Sequence, residues 1–251
     1  MSMLEIAREM LAIDALRYTI AAGAAFLAVR ALAPRYRRRL IRGVLPERAQ
    51  LRREIAYSAS TIAIFAAVGT GVWYGADAGV LQLYDRVDAH GWLYFVLSIA
   101  VLVVAQDAYF YWTHRAMHHR RLFRIVHRVH HLSRNPSPWA AYAFAPIEAF
   151  VHAAFVPLAT LAMPVHRIAL FVFLAFMIVR NVIGHLGLEL LPAGFIGRWP
   201  WTTTTTHHAL HHHRPHGNYG LYFTWWDRLA GTTDPTYEAT FAALTEPAVA
   251  E

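Results

Sequence analysis

The sequence predicts an all-α fold: a polytopic bundle of membrane-crossing helices that carries a histidine-rich helical cap on its cytoplasmic side. Two observations predict the bundle. Hydrophobic residues make up 57% of the 251 positions and charged residues only 16%, against roughly 25% charged in an ordinary soluble domain. Several apolar runs also approach the ~20 residues that a helix needs to cross hydrocarbon. Two histidine-rich stretches with helical spacing predict the cap.

The apolar runs follow one another along the first three quarters of the chain. The first is YTIAAGAAFLAVRALA at 18–33, and the second and third cover 55–75 and 91–112. A further apolar region, 140–190, is interrupted at Pro164. Proline cannot continue a helix without losing a hydrogen bond, so this region predicts a helical hairpin. We therefore expect an integral, multi-pass membrane protein.

Arginine is distributed unequally between the connecting loops. The segment PRYRRRLIRGVLPERAQLRR at 34–53 contains eight arginines, whereas 76–90 contains three aspartates and one arginine. Loops rich in Arg or Lys stay in the cytoplasm, so 34–53 is predicted to be cytoplasmic. Counting crossings from there returns the third run to the cytoplasm near Trp112, where the first histidine-rich stretch begins. The net charge of +7 then fits an anionic lipid surface better than nucleic acid.

The histidine-rich stretches are HRAMHHRRLFRIVHRVHH at 114–131 and HHALHHHRPH at 207–216. Residues three or four apart share one face of a helix, so each group of histidines is predicted to aim its imidazoles at a single point. The chain has no cysteine, which excludes thiolate-bound haem, iron–sulfur clusters and cysteine zinc sites. Eight imidazoles are too many for one ion and suit two. They are His114, His118, His127, His130, His131, His208, His211 and His212.

The remaining histidines are assigned to the surface or to packing. His119, His207 and His213 fall off the shared faces or at their edge, and His90, His152 and His166 are typical of residues at a membrane interface. A loose metal-buffering tract is an alternative interpretation of the two stretches. Such a tract has low complexity and variable spacing, whereas these stretches repeat one helical spacing among apolar residues.

Several motifs together resemble the fatty acid hydroxylase and sterol desaturase superfamily of integral-membrane di-iron enzymes. They run from Asp107 to Thr233 and read DAYFYWTHRAMHH, HRVHH, NPSPWAAYAF, HHALHH, NYG and WDRLAGT. The resemblance implies that the eight histidines above are metal ligands and that His185, in NVIGHLGLE, is a ninth. It also implies two iron ions, with dioxygen as co-substrate.

The resemblance implies that the chain oxidises a lipid, by hydroxylating or desaturating an alkyl chain or a sterol-like lipid. We expect a single domain over 1–251, with N-terminal spans in 1–90 and the catalytic core in 91–235. The sequence contains no glycine-rich dinucleotide motif, so electrons are expected from a separate electron-transfer protein and its reductase. The alternative hypothesis is a histidine-rich membrane protein that binds or transports zinc without redox chemistry.

Two further expectations concern individual residues. Tyr142 and Ala145 stand where the sterol C-5 desaturase-like branch often has histidines, which favours hydroxylation of a flexible alkyl chain over desaturation of a sterol ring. Asp107 lies seven residues before His114, two turns back on the same helical face. A carboxylate at membrane depth is costly, so Asp107 is expected to orient a ligand imidazole; the alternative is a polar residue that faces a neighbouring helix.

Overall fold

Residues 2–246 are described by a computed structural model, which is mostly helical. Four of its helices are long and apolar enough to cross a membrane. The helices in chain order are α1 (Met3–Leu32), α2 (Arg48–Asp77), α3 (Gly91–Met117), α4 (Phe123–Val126), α5 (Arg128–His131), α6 (Pro146–Ala153), α7 (Phe155–Ala162), α8 (Arg167–Gly184), α9 (Phe195–Arg198), α10 (Thr205–His213), α11 (Trp225–Leu229) and α12 (Tyr237–Thr245).

The long helices α1, α2, α3 and α8 form the bundle. The first three expected apolar runs lie in α1, α2 and α3, apart from Ala33, which is the C-cap of α1. Helix α1 extends well before its apolar run because a capping box starts it. Ser2 Oγ accepts a hydrogen bond from the Glu5 backbone N–H, and the Glu5 carboxylate accepts one from the Ser2 N–H. These bonds satisfy amide groups that the first helical turn leaves without partners.

The expected hairpin is formed by α6 and α7 on one arm and α8 on the other. Pro146 begins α6, where its missing N–H costs nothing. Met163 and Pro164 then separate α7 from α8, at the predicted break.

A two-residue parallel pair, β1 (Leu83–Tyr84) and β2 (Val165–His166), joins the closed end of this hairpin to the loop between α2 and α3. The histidine-rich stretches belong to the other end of the bundle: the first begins in the last turn of α3, and the second follows α8 in the chain. His166 is buried and caps α8: its Nδ1 accepts from Ile168 N, and its Nε2 donates to the Asp85 carbonyl. The bundle therefore has one end tied by strands and one end capped by short helices.

Candidate metal centre

The nine expected ligands come from four places in the chain that meet at the capped end of the bundle. His114 lies in the last turn of the membrane helix α3 and His118 is its C-cap, while His185 is the C-cap of α8. His127, His130 and His131 lie at α5, and His208, His211 and His212 lie on α10. All are buried except His118, which is partly exposed.

These nine side chains divide into two clusters. In each cluster, one nitrogen from every imidazole lies within 4.8 Å of all the others. The five-histidine cluster contains His114, His118, His127, His131 and His211, and the four-histidine cluster contains His130, His185, His208 and His212. Together the two clusters contain the nine histidines expected from the sequence and no other residue.

The division differs from the sequence-based expectation that each group of histidines aims at one point. Neighbouring histidines separate: His130 joins one cluster and His131 the other, and His211 and His212 separate in the same way. The cause is helical geometry, because consecutive side chains point about 100° apart around a helix. Each H-x2-H-H motif therefore contributes to both clusters.

In four of the nine imidazoles, the Nδ1–H points away from the cluster and donates a hydrogen bond to an oxygen atom. His127 donates to Glu148 Oε1 at 2.6 Å, which is a charge-assisted bond to a buried carboxylate. His114, His185 and His211 donate to the carbonyls of Tyr219, Asn181 and Gly217 at 2.9, 2.7 and 2.7 Å. A histidine that donates from Nδ1 keeps a lone pair on Nε2, so these four rings are fixed in the tautomer that binds a metal through Nε2.

In each cluster, Nε2 atoms of different histidines lie as close together as ligands that share one cation. His114 Nε2 is 3.0 Å from His127 Nε2, and His185 Nε2 is 3.0 Å from His208 Nε2. In the first pair both Nδ1 protons are already donated outward, so two lone pairs face each other. Nitrogens bound about 2.1 Å from one ion lie roughly 3.0 Å apart at a right angle and roughly 3.4 Å apart at the tetrahedral angle. The donor set therefore fits two metal ions.

Burial keeps these rings uncharged. It lowers the pKa of His127 to about 3 and that of His185 to about 4, because a protonated imidazole loses its hydration there. The pKa values of His130, His208, His211 and His212 also lie well below the usual value for the same reason. A neutral imidazole is the form that coordinates a metal.

Sequence reasoning missed two carboxylates that support the ligands. Glu148 is fully buried and contacts His127, and only the long-range fold brings it there. Asp227 accepts hydrogen bonds from the backbone N–H groups of Tyr219 and Gly220 and so fixes the loop whose Tyr219 carbonyl orients His114. A Cβ on Gly220 would lie 2.4 Å from the Phe223 carbonyl oxygen, so only glycine fits that loop.

Asp107 has partners other than those expected. Its carboxylate accepts hydrogen bonds from the backbone N–H groups of Tyr222 and Phe223 and from the Trp225 indole. Within residues 2–246 no imidazole donates to it. Asp107 therefore ties the loop before α11 to the membrane helix α3. Asp107 and His114 both lie on α3, as the seven-residue offset predicted, but the carboxylate binds N–H groups of a loop more than 110 residues away in the sequence.

The histidines left out of the ligand set lie outside both clusters. His119 and His213 are exposed. His207 is fully buried, with its Nε2 3.4 Å from Asp227 Oδ2. The His152 side chain is 8% exposed, with its Nε2 3.6 Å from Glu148 Oε1 and its ring stacked on Phe110. These two histidines are packed inside the protein rather than placed at an interface or helix edge.

A cavity of about 260 Å³ lies inside the bundle, and His152 is the histidine in its wall. Most of its wall is apolar and comes from the long helices and the hairpin. Two cavity-lining rings contact the metal-binding clusters: Phe110 lies 4.9 Å from the His114 ring and Phe144 lies 5.3 Å from the His130 ring, measured between centroids. Tyr142 also lines the cavity, and Ala145 is the N-cap of α6. An apolar cavity inside the bundle suits a lipid.

The sequence profile described as fatty acid hydroxylase matches residues 99–232. Rat lathosterol oxidase is 28% identical over 185 residues, covering 73% of this chain and 61% of the relative. Delta(7)-sterol 5(6)-desaturase ERG3B of Gibberella zeae is 31% identical, covering 76% and 60%. Methylsterol monooxygenase 1 of Danio rerio is 31% identical, covering 59% and 51%.

The chain thus spans about 60% of the length of the first two relatives. No solved structure matches it. The family profile covers α3 from Ile99 onward, both histidine-rich stretches and the hairpin between them, which together supply all nine histidines of the two clusters. The chain belongs to the fatty acid hydroxylase family.

Proposed function

We propose that the protein is a membrane di-iron oxygenase that uses dioxygen and external electrons to hydroxylate or desaturate a lipid. The observation that carries this proposal is that two clusters of inward-facing imidazole nitrogens lie next to a mostly apolar cavity, separated from it by the rings of Phe110 and Phe144. Imidazole alone does not select iron over zinc or copper. The oxidase and monooxygenase names of the relatives favour a redox metal over zinc, and the family resemblance favours iron.

Two iron ions held by the nine histidines would supply the oxidising power, drawn from dioxygen, that removes hydrogen from an unactivated C–H bond. The protein orients the ligands through Glu148 and the carbonyls of Tyr219, Asn181 and Gly217. Phe110 and Phe144 hold the lipid against the clusters and exclude water from the reacting carbon. We propose 91–235 as the catalytic core, while α1 and α2 in 1–90 complete the wall of the cavity.

The first substrate class we propose is a sterol-like lipid, because the three relatives described above carry sterol or sterol-derived names. Hydroxylation of a flexible alkyl chain is the second candidate. It is favoured by Tyr142 and Ala145, at positions where the sterol C-5 desaturase-like branch often has histidines. Hydroxylation and desaturation begin with the same hydrogen abstraction, and the position of the bound lipid decides the second step.

Membranes that contain the protein, supplied with a ferredoxin or cytochrome b5 reducing system and labelled dioxygen, are expected to oxidise an added sterol or alkyl lipid. Label in a new alcohol identifies hydroxylation, and a new double bond with label only in water identifies desaturation. The His211→Ala variant serves as the control. If the lipids stay unchanged while purified protein retains two zinc ions, the oxygenase proposal fails and the zinc-binding alternative is supported.

Electrons are proposed to arrive from a separate acidic carrier at the surface beside the clusters. Six exposed arginines lie between the end of α3 and the segment after α5: Arg115, Arg120, Arg121, Arg124, Arg128 and Arg134. Charge complementarity of this kind steers association and weakens with added salt. The same arginines suit the anionic lipid of a cytoplasmic leaflet.

We propose that this surface and the metal centre face the cytoplasm. Reporter fusions after Arg53 and after Arg134 are therefore expected to report the cytoplasm, and a fusion near Asp85 the opposite side. The reason is the excess of arginine in 34–53. Opposite locations for the fusions at Arg53 and Arg134 would contradict the proposed arrangement.

A further inference from the structure

Asp14 and Arg17 form an ion pair in the wall of the mostly apolar cavity, whose other charged lining residue, Arg167, pairs with Asp85. Arg17 Nη2 donates a hydrogen bond to Asp14 Oδ1 at 2.5 Å, and the two side chains are 11% and 14% exposed. Both residues lie on the membrane helix α1 and both line the cavity, beside Met10, Ile13 and Phe65. Charges at membrane depth are costly and usually serve a function.

The pair does not hold the bundle together. Asp14 and Arg17 are three residues apart on one helix, and within the described part of the chain neither side chain hydrogen-bonds to another helix. Arg17 Nε is buried with no hydrogen-bond partner among residues 2–246. A buried ion pair within one helix pays the cost of desolvation without linking that helix to another. The unpartnered N–H of Arg17 therefore points to a ligand.

A second unpartnered polar atom lies on the same wall. The Tyr142 hydroxyl is buried beside the Arg17 side chain and has no hydrogen bond of good geometry among the described residues. The Tyr142 ring stacks on Tyr18, the residue that follows Arg17, with 4.8 Å between centroids. This part of the wall therefore offers N–H donors from Arg17, carboxylate acceptors from Asp14 and a hydroxyl that can do either.

We propose that the Asp14–Arg17 pair binds the hydroxyl group of an uncharged lipid alcohol; this inference rests on the proposed function and names the polar end of its substrate. A hydroxyl group both donates and accepts. Its O–H would donate to the Asp14 carboxylate, and its oxygen would accept from Arg17 Nε. A lipid carboxylate would instead place a second negative charge beside Asp14, and a lipid ammonium would meet Arg17.

This contact would set which part of the lipid reaches the metal centre. Tyr142 and Phe144 line the cavity between the pair and the histidines, with 6.3 Å between their ring centroids. Phe144 in turn contacts His130. Beyond the pair, the cavity is lined by apolar side chains such as Leu170, Phe171 and Leu174 of α8. The apolar body of the alcohol lies along them.

The test measures binding to the purified protein in lipid nanodiscs, with tritiated cholestanol and with tritiated octadecanol as two alternative probes. Unlabelled cholestane or octadecane competes as the matching hydrocarbon, and cholestanol hemisuccinate or stearate as the matching carboxylate. We expect at least one alcohol to bind about tenfold more tightly than its hydrocarbon, as one net buried hydrogen bond predicts. Binding requires neither electrons nor turnover, so its result is independent of whether the oxygenase proposal holds.

Two variants change the pair in different ways. Asp14→Leu combined with Arg17→Met removes both charges and leaves neither unpaired. In this double variant the affinities for the alcohol and for its hydrocarbon should differ by less than twofold. Asp14→Asn keeps the shape but leaves a net positive charge, so binding of the carboxylate should tighten about tenfold. The control is Arg86→Gln with Asp88→Asn, which removes an exposed ion pair outside the cavity. It should change neither the preference for alcohol over hydrocarbon nor the affinity for the carboxylate.

The proposal is overturned if the wild-type protein prefers the carboxylate or fails to prefer either alcohol. It is also overturned if the folded double variant keeps the alcohol preference. Should the double variant not fold, unchanged carboxylate binding in Asp14→Asn overturns it equally.

Discussion

Replacing one histidine in either cluster, by His211→Ala or His130→Ala, is expected to lower the metal content from about two ions per chain to at most one. Lipid oxidation should be lost almost completely. The two histidines belong to different clusters, and each missing ligand opens one coordination sphere. Removing a group that hydrogen-bonds to a metal ligand already lowers metal affinity or activity roughly 10–100-fold. Removing the ligand itself should lower them further. Elemental analysis of protein from iron-supplied cells, with lipid product analysis, measures both effects.

The structure offers matched controls for this experiment. His213→Ala removes an exposed histidine from the same helix as His211, and His119→Ala removes an exposed histidine close to His118. Both variants should keep two ions and most of the activity. Equal damage from all four substitutions would mean that the histidine-rich stretches act as a general metal-binding surface, contrary to the two clusters.

Replacing Glu148 by alanine is expected to weaken metal binding by about 10–100-fold, although Glu148 is not a ligand. Its carboxylate accepts the Nδ1–H of His127 at 2.6 Å and fixes that ring in the tautomer that binds metal through Nε2. Glu148→Gln keeps an oxygen acceptor without the charge and should fall between alanine and the wild type. Competition with a chelator measures the affinity of each variant.

Substitution of a second buried glutamate, Glu54, is the control that distinguishes an effect on ligand position from an effect on overall stability. Glu54 is fully buried and accepts hydrogen bonds from Ser137 and Gln50, and no histidine within residues 2–246 bonds to it. Glu54→Gln should therefore change thermal stability while leaving metal affinity close to that of the wild type. If Glu54→Gln and Glu148→Ala lower metal affinity equally, or if Glu148→Ala leaves it unchanged, Glu148 does not position His127.

The features that the sequence predicted are those that rest on local periodicity. The membrane helices and the hairpin break at Pro164 follow from apolar run length and from proline chemistry. The histidine spacing, with the family resemblance, predicted which nine residues the structure brings together.

The features that the sequence did not predict depend on contacts between distant segments. Glu148 reaches His127 across 21 positions, and Asp107 binds backbone groups more than 110 positions away. The helical step separates His130 from His131, but which histidines of α10 each one meets depends on how α5 lies relative to α10, and spacing along one helix does not give that orientation.

Because each H-x2-H-H motif serves both clusters, the two ions are expected to load cooperatively. A first ion in the five-histidine cluster would fix α5 through His127 and His131, and α10 through His211. Those same two short helices carry His130, His208 and His212, three of the four ligands of the other cluster. Much of the conformational entropy of arranging the second site would thus already be lost when the first ion binds. A metal titration should therefore be sigmoidal, with chains holding a single ion scarce throughout.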